Sequence, residues 1–201
     1  MSSPRKPLFG WFMYDFANSA YTTTAAVAVL PAYFAAAVAP QAGVDILGLN
    51  FQATAIWGYS VSFSALLVFL MAPILGAISD LTASKMKFLT FMCVAGSLTT
   101  MAMFFIRPGD VLLCLGLFIL AQTAFAGGNV FYDSLLPHIA KPDEMDWVSG
   151  KGFAYGYFGG GLQFAICLVV IAKAASLGLS ETMAARVCLG FTGLWWWRTV
   201  A

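Results

Sequence analysis

Six long runs of apolar residues, separated by short polar stretches, organise this 201-residue chain. They fall at about 8–38, 54–78, 88–106, 111–136, 152–175 and 183–197. Crossing a hydrocarbon core of about 30 Å takes roughly 20 helical residues. A barrel would need short segments alternating apolar with polar, and runs such as 65–70 (ALLVFL) do not alternate. Lipid offers nothing to open strand edges, so each run is expected to be a helix. The pattern predicts an all-α integral membrane protein, with six transmembrane helices in a single bundle over residues 1–201. The sixth run is the shortest, since only eleven uncharged residues separate Arg186 from Arg198. Pro31 and Pro73 fall inside runs and are expected to kink their helices. The two longer connections are 39–53 and 137–149, and the second, with two prolines and four charges, is expected outside the hydrocarbon. Arg5 and Lys6 before the first run resemble the start of a secretory signal. The run is far longer than the roughly 7–15 residues of a signal core, and it carries Asp15 and Asn18. A retained span is expected.

Composition explains why lipid must be the solvent. Charged residues make up 9% of the chain, against about a quarter in ordinary soluble domains. A net charge of +1 gives no reason to expect a nucleic-acid partner. Arg5, Lys6, Lys85, Lys87, Lys141, Lys151 and Arg198 fall on one side of the six-span topology; Arg107, Lys173 and Arg186 fall on the other. By the positive-inside rule, that bias puts both termini in the cytoplasm, with the chain in the cell (inner) membrane. Cys93, Cys114, Cys167 and Cys188 each stand alone in an apolar run, which suits packing better than a zinc site or disulfides. His138 is the only histidine and is expected in a loop beside Pro137. The string GYFGGG (156–161) completes neither nucleotide-binding glycine pattern, so no cofactor is expected. An intramembrane aspartyl-type enzyme is the least supported class, and the chain is not expected to be an enzyme.

Within the spans, a few polar residues stand out. Asp15, Asn18 and Thr22 share one face of the first helix; Asn129 and Asp133 share one face of the fourth, with Gln122 seven residues earlier. The two carboxylates should lie at similar depth near the cytoplasmic end. Facing lipid would cost each a few kcal/mol, so they are expected to face an interior or a wet cavity. They could bind a substrate amine or relay a proton; alternatively they are interfacial caps or a fixed polar network with Lys151. Gly150, Gly152, Gly156, Gly159, Gly160 and Gly161 crowd the fifth span. The 152/156/160 stripe permits close helix approach, which is favoured over ligand contact. In GAISDLTASKMK (76–87), Ala72 and Gly76 offer a small face, while Asp80 can pair with Lys85 or Lys87. Such an ion pair can be made and broken as helices rock.

The 76–87 stretch resembles the loop signature of the major facilitator superfamily, G-x-x-x-D-R-x-G-x-R-R. Gly76, Asp80 and Lys85 match, whereas Leu81, Ala83 and Met86 depart. The strings WFMYDFANSAY (11–21), VFYDSLLPHIA (130–140) and SGKGFAYGYFGGG (149–161) resemble the autophagy-related vacuolar amino-acid effluxer family and its bacterial relatives. The resemblance implies about twelve helices in two six-helix bundles around a central cavity, of which this chain supplies the amino-terminal bundle. A fragment, a split half and a dimerising half-transporter are all compatible with that. It also implies that the first and fourth helices border the cavity. The fifth would meet the second bundle, making its glycine stripe a half-to-half interface. No proline lies in the fifth span, so the antiporter signature of drug exporters is absent. The expected function is secondary active transport of a small polar metabolite by alternating access, with amino acids implied by the resemblance. A proton or sodium ion would drive it, and a second six-helix half or a second copy would complete it. The alternative is a non-transporting, truncated or assembly-partner membrane protein.

Overall fold

A computed structural model describes residues 5–46, 48–82 and 84–198; Ala83 of the loop signature lies outside them. Helix α1 starts as α-helix over Arg5–Ala20, widens into π-helix over Tyr21–Val29, tightens over Leu30–Tyr33 and widens again over Phe34–Val38. The wide turns are visible in the ladder: Leu30 N–H bonds to the Ala25 carbonyl, five residues back, and Ala39 N–H reaches that of Phe34 at 2.8 Å. Pro31, which brings no N–H to the ladder, lies in the α-helical turn between the two π segments. The connection that follows is a small antiparallel hairpin, β1 (Val44–Ile46) against β2 (Leu49–Phe51), in which Asn50 donates to Asp45 at 3.2 Å. Gly48 has φ +80°, a left-handed conformation that glycine adopts without strain. Five more helices follow: α2 (Ala53–Thr82), α3 (Lys85–Ala102), α4 (Val111–Ile139), α5 (Met145–Ala172) and α6 (Glu181–Trp197).

The first five helices contain stretches long and apolar enough to cross a membrane. Helix α6 has 17 residues, about 26 Å at 1.5 Å per residue, short of a full hydrocarbon core. Its start is well defined, because Ser180 caps it by accepting from Met183 N–H at 3.1 Å. The expected polar connection at 137–149 shrinks to residues 140–144, because α4 runs through Pro137 to Ile139 and α5 begins at Met145. Hydrocarbon thickness limits the apolar run, not the helix, so polar turns continue past the lipid. His138 therefore sits on the last turn of α4, with Nδ1 3.1 Å from the Ser134 carbonyl, and not in a loop.

Successive helices run antiparallel. At one end of the bundle, Gly109 N–H donates to the Val38 carbonyl at 3.0 Å and the Tyr33 hydroxyl to that of Ile106 at 3.0 Å. Arg186 closes the same end, bonding the Phe104 carbonyl at 2.7 Å and lying over its ring. The core is aromatic: Trp57 meets Phe118 at 4.3 Å between centroids, and Tyr21 meets Phe125 and Trp196 at 5.3 and 5.4 Å. All four cysteines are buried among these helices.

The glycine stripe of α5 faces α1. A Cβ at Gly152 would strike the Trp11 ring, one at Gly159 the Phe16 carbonyl, and one at Gly160 would lie 2.8 Å from Thr23 Oγ1. The stripe is thus internal packing, and the half-to-half reading of it is corrected: its glycines are already filled by α1. The outward face of α5 carries Phe153, Tyr157 and Phe158, all exposed. Gln163 ties the contact together. Its carbonyl accepts from the Thr24 hydroxyl, and its amide donates to Thr192 at 2.9 Å and Cys167 at 3.2 Å, so one buried residue links α1, α5 and α6.

Candidate functional site

Asp15 and Asp133 come together on one cavity of about 300 Å³. Helix α1 contributes Trp11 and Asp15, α4 contributes Asn129, Tyr132 and Asp133, and α5 contributes Ser149 and Phe153. Counted along its helix, Asp15 lies ten residues after the start of α1 at Arg5, and Asp133 six residues before the end of α4 at Ile139. Spacing explains the convergence. Trp11 and Asp15 are four apart on α1, and Asn129 and Asp133 four apart on α4, so each pair presents a single face.

Asn18 joins the two helices, donating from Nδ2 to Asn129 Oδ1 at 2.9 Å. It is 1% exposed, and its own Oδ1 carries no hydrogen bond. One turn on, Thr22 Oγ1 is also buried without a hydrogen bond, as is Gln122 Oε1 on α4. Gln122 and Thr22 do not line the cavity; they lie deeper along α4 and α1, beyond the Asn18–Asn129 contact. The Ser19 hydroxyl donates to Asp15 Oδ1 at 3.2 Å. A Cβ on Gly156 would sit 2.7 Å from Ser19 Oγ and against Asp15 Oδ2, so the missing side chain makes the space that this carboxylate occupies. Gly156 was expected to pack helices; it also shapes the site.

The aromatic wall was not foreseen. Trp11 and Tyr132 stack with centroids 4.3 Å apart and planes 8° apart, and Trp11 Nε1 donates to the Tyr132 carbonyl at 3.2 Å. Tyr14 also stacks with Tyr132, with centroids 4.7 Å apart. Trp11, Tyr14 and Asp15 all lie within the 11–21 string, so the signal was present, attached to the carboxylate alone. Gln163 was missed as well, although a lone amide in an apolar run is the same signal that singled out Gln122.

Lys151 does not enter a network with the carboxylates. Its ammonium lies over the rings of Trp147 at 4.8 Å and Phe12 at 5.4 Å, neither of which lines the cavity. Elsewhere, Lys85 pairs with Asp80 at 2.9 Å across the α2–α3 turn, with Asp80 66% and Lys85 20% exposed. A Cβ on Gly76 would meet no described atom within 4 Å. Little of α2 is covered by the other helices.

Comparison with known proteins gives two consistent likenesses. A family described as vacuole effluxer Atg22 like matches residues 3–147 and 143–199. Among curated proteins, the chain is similar to an uncharacterised MFS-type transporter, YxiO, of Bacillus subtilis (strain 168). They are 35% identical over 188 residues, covering 92% of this chain and 43% of the relative. It is also similar to autophagy-related protein 22 of Coccidioides immitis (strain RS), 28% identical over 104 residues, covering 52% of this chain and 17% of that protein. The chain thus spans less than half the length of these relatives. No solved structure matches it significantly.

Proposed function

This chain belongs to the Atg22-like vacuole effluxer family, and we propose that it forms the amino-terminal six-helix bundle of a secondary transporter. The cargo is a small polar metabolite, with amino-acid-like compounds the first to test, given the effluxer family. The bundle works with a second six-helix partner, either further chain or a second copy, and the two rock around a central path. A proton or sodium ion supplies the energy. Both termini face the cytoplasm, and the chain sits in the cell membrane.

One observation carries this reading: carboxylates from two helices far apart in sequence meet in a cavity at one end of a lipid-embedded bundle. Ionisable groups inside a membrane are costly and are retained where they serve a passage. Asp15, Asn18, Asn129 and Asp133 line the cytoplasmic half of that passage, and Gln122 lies further along it. The Asp80–Lys85 pair acts as a latch at the α2–α3 turn, opening and closing as the bundle rocks.

The test is transport into membrane vesicles bearing the protein, with radiolabelled amino acids and amines as cargo. Asp15→Asn and Asp133→Asn should each reduce the rate by about tenfold or more, the scale of one lost charged contact. Undiminished transport in variants present at normal levels would overturn the assignment.

A further inference from the structure

A trough of about 580 Å³ runs between the start of α1 and the end of α6. Gly10, Met13 and Ala17 form its α1 wall, and Phe191, Leu194 and Arg198 its α6 wall. Helical spacing explains both walls. Positions 6, 10, 13 and 17 recur along one face of α1, and 191, 194 and 198 along one face of α6. The two helices run in opposite directions, so each wall ends in a cation at the same end of the bundle: Lys6 on α1 and Arg198 on α6, both exposed. Among the described residues neither is paired with a carboxylate. Lys6 lies in the first turn of α1, which holds no acidic residue and where the helix already carries partial positive charge. Trp195, Trp196 and Trp197 close α6 beside Arg198, and tryptophan at the end of an apolar helix marks the membrane–water interface.

We infer that this trough holds one anionic diacyl phospholipid, its phosphate drawn to Lys6 and Arg198 and an acyl chain lying between α1 and α6. From Lys6 to Ala17 is eleven residues, about 16 Å of helix, close to the roughly 15 Å of one leaflet. Cations, interfacial tryptophans and apolar wall thus follow one another in the order of a lipid's own parts. Basic sites between membrane helices suit anionic headgroups, and both arginine and lysine bind phosphate through charge-assisted hydrogen bonds. Gly10 keeps the trough open, because a Cβ there would meet nothing within 4 Å. The same glycine edges a second cavity of about 390 Å³ toward α3, which offers the second acyl chain a place. The inference needs only the membrane reading of the helices; it is independent of cargo and of the Asp15–Asp133 cavity.

The experiment is native mass spectrometry of the 201-residue protein released from a neutral detergent. Phosphatidylglycerol, phosphatidylcholine with the same chains, and glycerol phosphate are the separate probes. One phosphatidylglycerol per chain should be retained, at least about tenfold more tightly than phosphatidylcholine, and glycerol phosphate should not be retained. Lys6→Gln and Arg198→Gln should each weaken phosphatidylglycerol by about fivefold, the scale of one cation near an anionic lipid. Gly10→Leu fills the trough and should weaken it by about tenfold, with the fold intact because the glycine faces open space. Lys141→Gln, at the same end but off both walls, should change nothing. Native helicity of each variant by circular dichroism separates lost binding from lost folding. Equal retention of the two phospholipids, or glycerol phosphate held as tightly as phosphatidylglycerol, would overturn the inference. So would a loss with Lys141→Gln as large as with Lys6→Gln, or unchanged affinity in the folded Lys6→Gln/Arg198→Gln protein. A lipid-free dimer would overturn it too, since a second copy would then cover the trough.

Discussion

Gly156 and Asp15 form a unit in which one residue's absence of side chain fixes the other's position. Replacing Gly156 with alanine puts a methyl group against Asp15 Oδ2 and 2.7 Å from Ser19 Oγ, so the carboxylate must swing or α5 must back away. Overpacking of this kind costs about 1–3 kcal/mol. The variant should melt earlier and lose transport. Gly161→Ala, with nothing within 4 Å of the new atom, should change neither. Thermal unfolding in detergent, read alongside transport, checks both. Gln163 offers a contrasting case, structural and remote from the cavity. Gln163→Leu removes its bonds to Thr24, Thr192 and Cys167 at about 0.6 kcal/mol each, typical of hydrogen bonds between membrane helices. The expected loss is about 1–2 kcal/mol in unfolding free energy. The carboxylates were legible in the sequence because a charge inside an apolar run is rare and its helical spacing can be counted. Tyr132 and Trp11 were not, because an aromatic residue in an apolar run looks the same whether it faces lipid, core or ligand.

At the scale of helices, the apolar runs located the helices, five of them long and apolar enough to cross a membrane, yet their ends were misjudged because helices continue into the polar zone. The 145–151 turns of α5 show this: they hold Asp146 and Lys151 and are helical all the same. The β1–β2 hairpin left no signal because strands of three residues give almost no alternation to read. The π segments of α1 were equally hidden, since a wide turn preserves composition and alters only the hydrogen-bond ladder. The α2–α3 turn holds a more testable feature. Asp80 lies in the last turns of α2 and Lys85 at the first position of α3, so each charge sits at the helix end whose partial charge repels it. Their 2.9 Å pairing offsets that, but Asp80 is 66% exposed, so the bond is worth at most about 1 kcal/mol. Exchanging the two, Asp80→Lys with Lys85→Asp, keeps the pair and reverses both dipole terms. The exchanged protein should be as stable as the parent or up to about 1 kcal/mol more so. Its transport should fall if the pair works as a latch tuned to open. Unfolding temperature rising while rate drops would separate the latch from a merely structural bridge; equal transport would remove the latch.

The whole molecule is asymmetric in two ways, and both concern the membrane. Helix α2 is among the most apolar parts of the chain and the least covered, exposing Tyr59, Phe63, Leu66, Phe69 and Ile74. Cations are asymmetric end to end: Arg107, Lys173 and Arg186 gather where the hairpin lies, whereas Lys6, Lys85, Lys87, Lys141, Lys151 and Arg198 belong to the other end. A bias of that size orients a multi-span protein with its richer end inward. The hairpin should then face outward, and the cavity with Asp15 and Asp133 should open inward. The native cysteines suit a labelling test, because all four are buried and give little background. Ala42 beside the hairpin and Asp143 between α4 and α5 are both exposed, so Ala42→Cys and Asp143→Cys place one reporter at each end. A membrane-impermeant maleimide should label Ala42→Cys in intact cells stripped of their outer layers, and Asp143→Cys only in inverted vesicles. The opposite pattern would invert the topology and turn the carboxylate cavity outward. Labelling of both from one side would mean that the helices do not alternate across the bilayer, and the proposed passage between α1 and α4 would lose its physical basis.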